Sequence, residues 1–151
     1  MSIDRDIATA AGLPLPDAAY FLWVRRFALD QRERRVTARP GRAADLKDPA
    51  ALAQSVAAAL SKARADRASA EDGPTFLRLR RAHPNAGDDA LKSAIRAALK
   101  FDEDCTRFYS PSGDDFAASI ARAIADARTE NPGFLAETYE LARAELMRTM
   151  K

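Results

Sequence analysis

The sequence holds one imidazole, one thiol and one indole: His83, Cys105 and Trp23. A Cys–His or Ser–His nucleophile would have to use His83 as its base. His83 precedes Pro84, and a residue before proline avoids helical backbone. This places the ring at a helix end, where it can satisfy terminal carbonyls. Cys105 shares a helical stripe with Leu91, Ile95, Ala98 and Tyr109. In such a core position a thiol behaves as a small hydrophobe. A single His excludes any site that needs two imidazoles, and a single Cys excludes a disulfide framework or a Cys-rich zinc site.

The densest acidic group is Asp102-Glu103-Asp104. A calcium loop needs oxygen ligands at alternating positions, a glycine at the sharp turn and a closing Glu. Arg107 stands where that glycine belongs, and the closing Glu is missing. Asp88-Asp89 and Asp114-Asp115 read as helix caps and first-turn charges. Neither G-x-x-x-x-G-K-[ST] nor G-x-G-x-x-G occurs. No metal, no cofactor and no catalytic residue is therefore expected. Asp102 poses its own problem, because it falls on the apolar stripe between Ala98 and Cys105. A lone buried carboxylate is unfavourable. Either the helix breaks near Lys100, or an Arg from another helix reaches Asp102.

Basic clusters come next. Residues 20–42 hold seven Arg against Asp30 and Glu33, and residues 1–100 carry +6 while 101–151 carry −4. Arg34, Arg35, Arg39 and Arg42 gather near a turn, and Lys92, Arg96, Lys100 and Arg107 line the polar side of a later helix. These eight residues are the candidate contacts for an anion or a nucleic acid, whose binding would fall steeply with salt.

The sharpest protein-contact signal lies in residues 17–36. At helical spacing Tyr20, Trp23, Val24, Phe27 and Ala28 share one broad face, which reads as core. Leu22 and Leu29 fall on the opposite face, framed by Arg25 and Arg26. If that second face is exposed, Leu22, Arg25, Arg26 and Leu29 form an interface anchor, since interface centres favour large apolar groups and Arg. The alternative is a central helix buried on both sides.

The elements that must position these residues are helical. Among 151 residues there are 34 Ala but three Val and five Ile, so a sheet has little material. Arg outnumbers Lys by 19 to 5, which with so much Ala suggests a GC-rich bacterial genome. Residues 1–16, with Pro14 and Pro16, read as a flexible N-terminal arm, and Asp17 as a cap. Arg39-Pro40-Gly41-Arg42 marks a turn. Asp48-Pro49 opens a helix with an amphipathic stripe of Leu52, Val56, Ala59, Leu60 and Ala63. Residues 66–73 read as a loop, and Pro74 starts a short helix that ends at His83. A helix from Asp88 to about Tyr109 follows, then one capped by Asp114, then one opened by Asn131-Pro132.

The expectation is an all-α, single-domain bundle or array of five to six helices over residues 17–151. No apolar run is long enough to span a membrane, and the start lacks the basic and apolar regions of a signal peptide, so a cytoplasmic protein is expected. The leading function is a small protein-interaction module (adaptor, regulator or accessory subunit) that binds another protein or itself without catalysis. The alternatives are a nucleic-acid accessory protein that uses residues 25–42 and the 92–107 ridge, and an enzyme of unknown class.

Overall fold

The computed structural model describes residues 2–37, 49–111 and 115–151. Among them are eight helices and no strand: α1 (Ile3–Ala11), α2 (Leu15–Val24), α3 (Arg26–Thr37), α4 (Pro49–Ala68), α5 (Pro74–Ala82), α6 (Asp88–Arg107), α7 (Phe116–Glu130) and α8 (Ala136–Thr149). The helical class is as expected, and the helix number exceeds five to six for two reasons.

First, the segment expected as a flexible arm contains α1. Ser2 caps it by accepting from the Arg5 amide at 3.3 Å, and Asp4 and Asp6 place negative charge in its first turn. Ile7 and Ala10 are buried against the core, and α1 packs on α2 and α5. Second, the helix expected over 17–36 breaks at Arg25, with α2 before it and α3 after. The Arg25 guanidinium reaches Asp6 on α1 at 3.1 Å. The break changes which side chains face inward. Leu29 is fully buried, whereas Phe27 is 44% exposed.

Helices α2 and α6 form the central pair, with α1 and α5 against α2, and α7 and α8 closing over α6. Tyr20, Leu22, Trp23, Leu91, Ile95 and Phe101 are all but inaccessible. Each such side chain contributes roughly 1.5–3 kcal/mol relative to an exposed one. The Phe101 ring stands 5.0 Å from Tyr20 and 5.4 Å from Tyr139, centroid to centroid.

The caps follow chemistry more distant than the local sequence suggests. Asp115 caps α7 by accepting from the Ala117 amide at 3.0 Å; Asp114, the cap expected from the sequence, lies outside the described residues. Asn131 does not open a helix. Its Nδ2 donates to Asp104 and to the Ala127 carbonyl, both at 2.8 Å, so it closes α7. Gly133 then turns the chain at φ +102°, a left-handed conformation suited to glycine. The start of α8 is capped from across the molecule by Asp17. Its carboxylate accepts from the Leu135 amide at 2.8 Å and from the Thr138 hydroxyl.

Asp104 ties α6 to α7. Burial pushes its carboxyl upward, but donors from Asn131, Lys100 and Arg107 outweigh this and hold it down at about 2, against an ordinary 3.8. A carboxyl lowered on folding contributes stability that is present above the unfolded value and lost as pH falls through the folded one. Asp104→Asn is therefore expected to flatten the loss of stability between pH 4 and 2. Urea titrations across that range check it, and an unchanged acid limb would exclude Asp104 as its source.

Candidate functional site

Helix α6 is continuous through Lys100, so Asp102 stays on its inner side. An arginine does reach it. Arg67 Nη2 of α4 donates to Asp102 Oδ2 at 2.7 Å, and Trp23 Nε1 of α2 donates to the same oxygen at 3.1 Å. Thus Asp102 is a structural junction of three helices. Nearby Cys105 is buried, and desolvation, reinforced by Asp102 and Asp104, pushes its thiol up to about 12. The thiolate is the reactive form. Cys105 is therefore expected to resist a thiol-specific reagent at pH 8 in the native protein and to react at once in denaturant. Rapid native labelling would overturn this assignment. His83 closes α5, and its Nε2 lies 3.0 Å from the Ala10 carbonyl, near the end of α1. It serves a terminal carbonyl, as its place before Pro84 suggests. No cluster of metal-binding side chains occurs among the described residues.

The contact face expected from Leu22, Arg25, Arg26 and Leu29 does not form. Leu22 and Leu29 are both 0% exposed. Arg25 is committed to Asp6. Arg26 folds back, donating from Nη1 to the Trp23 carbonyl at 2.9 Å and stacking 3.7 Å above the Trp23 ring. The physical reason is position: α2 is the central helix and is covered on both sides. Two leucines opposite a Tyr/Trp stripe mark such a helix as readily as they mark a surface.

The expected basic ridge is present on α6, but its cations are paired. Arg96 meets Glu71 at 2.7 Å and Lys92 meets Asp72 at 3.7 Å. Lys100 and Arg107 both meet Asp104 at 2.9 Å. The turn after α5 thus supplies none of these carboxylates; those for Arg96 and Lys92 come from the turn after α4. Arg34 also has an interaction partner. Arg35 lines an open groove of about 520 Å³ with Ser2, Ile3, Asp4, Arg32 and Arg81. Arg39 and Arg42 lie outside the described residues.

The surface that the sequence does not single out is on α4. Its first 13 residues, Pro49–Ser61, carry no formal charge. Val56 is 52% and Leu60 59% exposed. Toward its other end α4 is held by ion pairs and by Arg67, which also donates to the Leu99 carbonyl at 3.5 Å. Lys62 reaches Asp30 on α3 at 3.4 Å, and Arg67 reaches Asp102 and Glu103 on α6 at 2.7 and 3.4 Å. The exposed Phe27 ring lies 5.7 Å from Lys62 Nζ, so it adjoins α4. The stripe of Val56 and Leu60 is visible in the sequence. Its exposure is not, because helical periodicity shows that a face is apolar without showing what covers it. Leu52, Ala59 and Ala63, expected on the same stripe, have side chains outside the description.

No described helix is long and apolar enough to cross a membrane. Comparison with protein-family models, curated proteins and solved structures finds no match.

Proposed function

We propose that the protein acts by binding another protein, or a second copy of itself, through the exposed first half of α4. One observation carries this reading: Val56 and Leu60 project from an uncharged stretch of helix with more than half their surface open. Exposed apolar side chains that recur one turn apart on a helix mark interaction surfaces. The mode is mass-action binding without catalysis. The charged residues Lys62, Arg64 and Asp66 form a rim at one end of the helix.

Val56→Asp with Leu60→Asp tests it. Both residues are exposed, so each substitution is expected to change stability by no more than roughly 0.5 kcal/mol. The wild type and the double variant are compared by sedimentation velocity and by affinity capture with nuclease treatment and a high-salt wash. The expected result is loss of a stoichiometric partner, or of a self-associated species, in the variant alone. An identical partner set and an identical mass for both proteins would overturn the reading. A complex that dissolves on nuclease treatment would assign binding to the Arg-rich residues 25–42 instead.

A further inference from the structure

Helix α4 is joined to the domain differently from its neighbours. It is the one helix with no buried side chain among the described residues. From residue 49 to residue 61 every described side chain except that of Ala51 is exposed. None of the helix pairs that build the core includes α4. Nine Ala in twenty residues favour the helix intrinsically. Helices in proteins nevertheless owe most of their stability to packing, so the attachment of α4 rests heavily on the charged residues of its second half.

Arg67 is the main tie. Its Nη2 meets Asp102 of α6 at 2.7 Å, and its Nη1 meets Glu103 at 3.4 Å and the Leu99 carbonyl at 3.5 Å. The guanidinium also lies 5.6 Å from the Trp23 ring. Lys62 divides its charge between Asp66 of its own helix at 2.9 Å and Asp30 of α3 at 3.4 Å. The Arg67 and Lys62 side chains are 36% and 37% exposed. Ion pairs this open are weak and are screened by salt. The chain just beyond α4 is fixed by other means. Ala70 is 3% exposed, and Phe76 at the start of α5 is 7% exposed, so apolar burial holds that turn independently of the ion pairs.

We propose that α4 is an arm on an ionic clip: Arg67, assisted by Lys62, holds it against α6 and α3, and when the clip opens the helix swings away on a pivot at Ala70. The acceptors make opening cheap, because none of them is stranded when the two cations leave. Asp102 keeps the Trp23 indole, which donates to it at 3.1 Å. Asp30 keeps Arg78 at 2.7 Å. Glu103 is mostly in water already. Arg67 and Lys62 return to solvent, so the open state leaves no buried charge without a partner, the outcome that would otherwise forbid it. Two states of similar free energy follow, and their balance shifts with ionic strength. The clip acts on the helix that carries the proposed binding surface, but it opens and closes in the isolated protein and requires no partner.

Spin labels at Ser55→Cys on α4 and Ser93→Cys on α6, both exposed positions, report where the arm lies, in a Cys105→Ala background. Segment-resolved hydrogen exchange reports how often it opens. From about 0.01 M to about 1 M NaCl the screening length falls from about 30 Å to about 3 Å. Over that range the label distance is expected to pass from one narrow population to a broad one. Exchange in residues 49–68 is expected to rise roughly tenfold, as the loss of two or three partly exposed pairs allows, while α2 and α6 stay unchanged. Arg67→Gln is expected to give the broad population already at low salt, and Arg67→Lys to restore part of the narrow one. Val56→Asp with Leu60→Asp should leave the low-salt distance as it is, which separates the clip from partner binding. A narrow distance at both salt concentrations and in Arg67→Gln would overturn the proposal. So would a broad wild-type population at low salt, or exchange that accelerates in α2 and α6 together with α4.

Discussion

Leu22→Asp is expected to unfold the protein. Leu22 lies on α2 at 0% exposure, so the substitution places a carboxylate in the core without a partner. The loss of apolar burial is roughly 1.5–3 kcal/mol, and an unpaired buried charge adds several kcal/mol more unless it is protonated. Domains are stable by about 5–15 kcal/mol, so the sum removes most or all of the margin. Far-UV circular dichroism should fall sharply, with no cooperative urea transition. Leu22→Ala, at about 2–5 kcal/mol, should leave a folded but weakened protein. A Leu22→Asp variant that unfolds like the wild type would return Leu22 to the surface and restore the interface that its spacing first suggests.

Asp17→Ala should lower stability by about 2–3 kcal/mol, the range for leaving buried donors without an acceptor and for losing a helix cap. Asp17 is 1% exposed, and one of its oxygens serves both the Leu135 amide and the Thr138 hydroxyl. These are the first groups of α8, so the change strikes the N-terminus of the last helix from residue 17. Asp17→Asn keeps an acceptor oxygen and should recover part of the loss. The midpoint of urea unfolding measures both, and an Ala variant within a few tenths of a kcal/mol of wild type would show that water replaces the cap.

How much of this could be read from the sequence depends on distance along the chain. The stripe of Leu91, Ile95, Ala98, Cys105 and Tyr109 defines α6 locally; the structure buries the first four, while Tyr109 lies just past the helix end and is half-buried. The prolines at 49 and 74 begin α4 and α5, because proline suits the first helical turn. Asp102 shows an intermediate case. Its burial on a stripe requires either a break or a distant Arg, but nothing local names Arg67. Asp17 is harder still, since its ligands lie 118 and 121 residues away. Arg25, where the helix breaks, pairs with Asp6, a residue in a segment too short and too proline-flanked to read as helical. That one break exchanges Phe27 for Leu29 in the core, and with it the assignment of the candidate surface.

The place of α2 at the centre has a consequence for synthesis. Ala18–Val24 is a run of seven apolar residues on α2, which becomes covered mainly by α6 and then by α1 and α5. On the ribosome α2 emerges more than 60 residues before α6 begins. At roughly 5–20 residues per second, its apolar surface waits several seconds for its first large partner. During that interval α1, α3 and α5 are the described helices that can pack on it, and α5 itself arrives late. The nascent chain is therefore expected to need shielding by a holding chaperone at α2, and to aggregate when translation is slowed between residues 24 and 88.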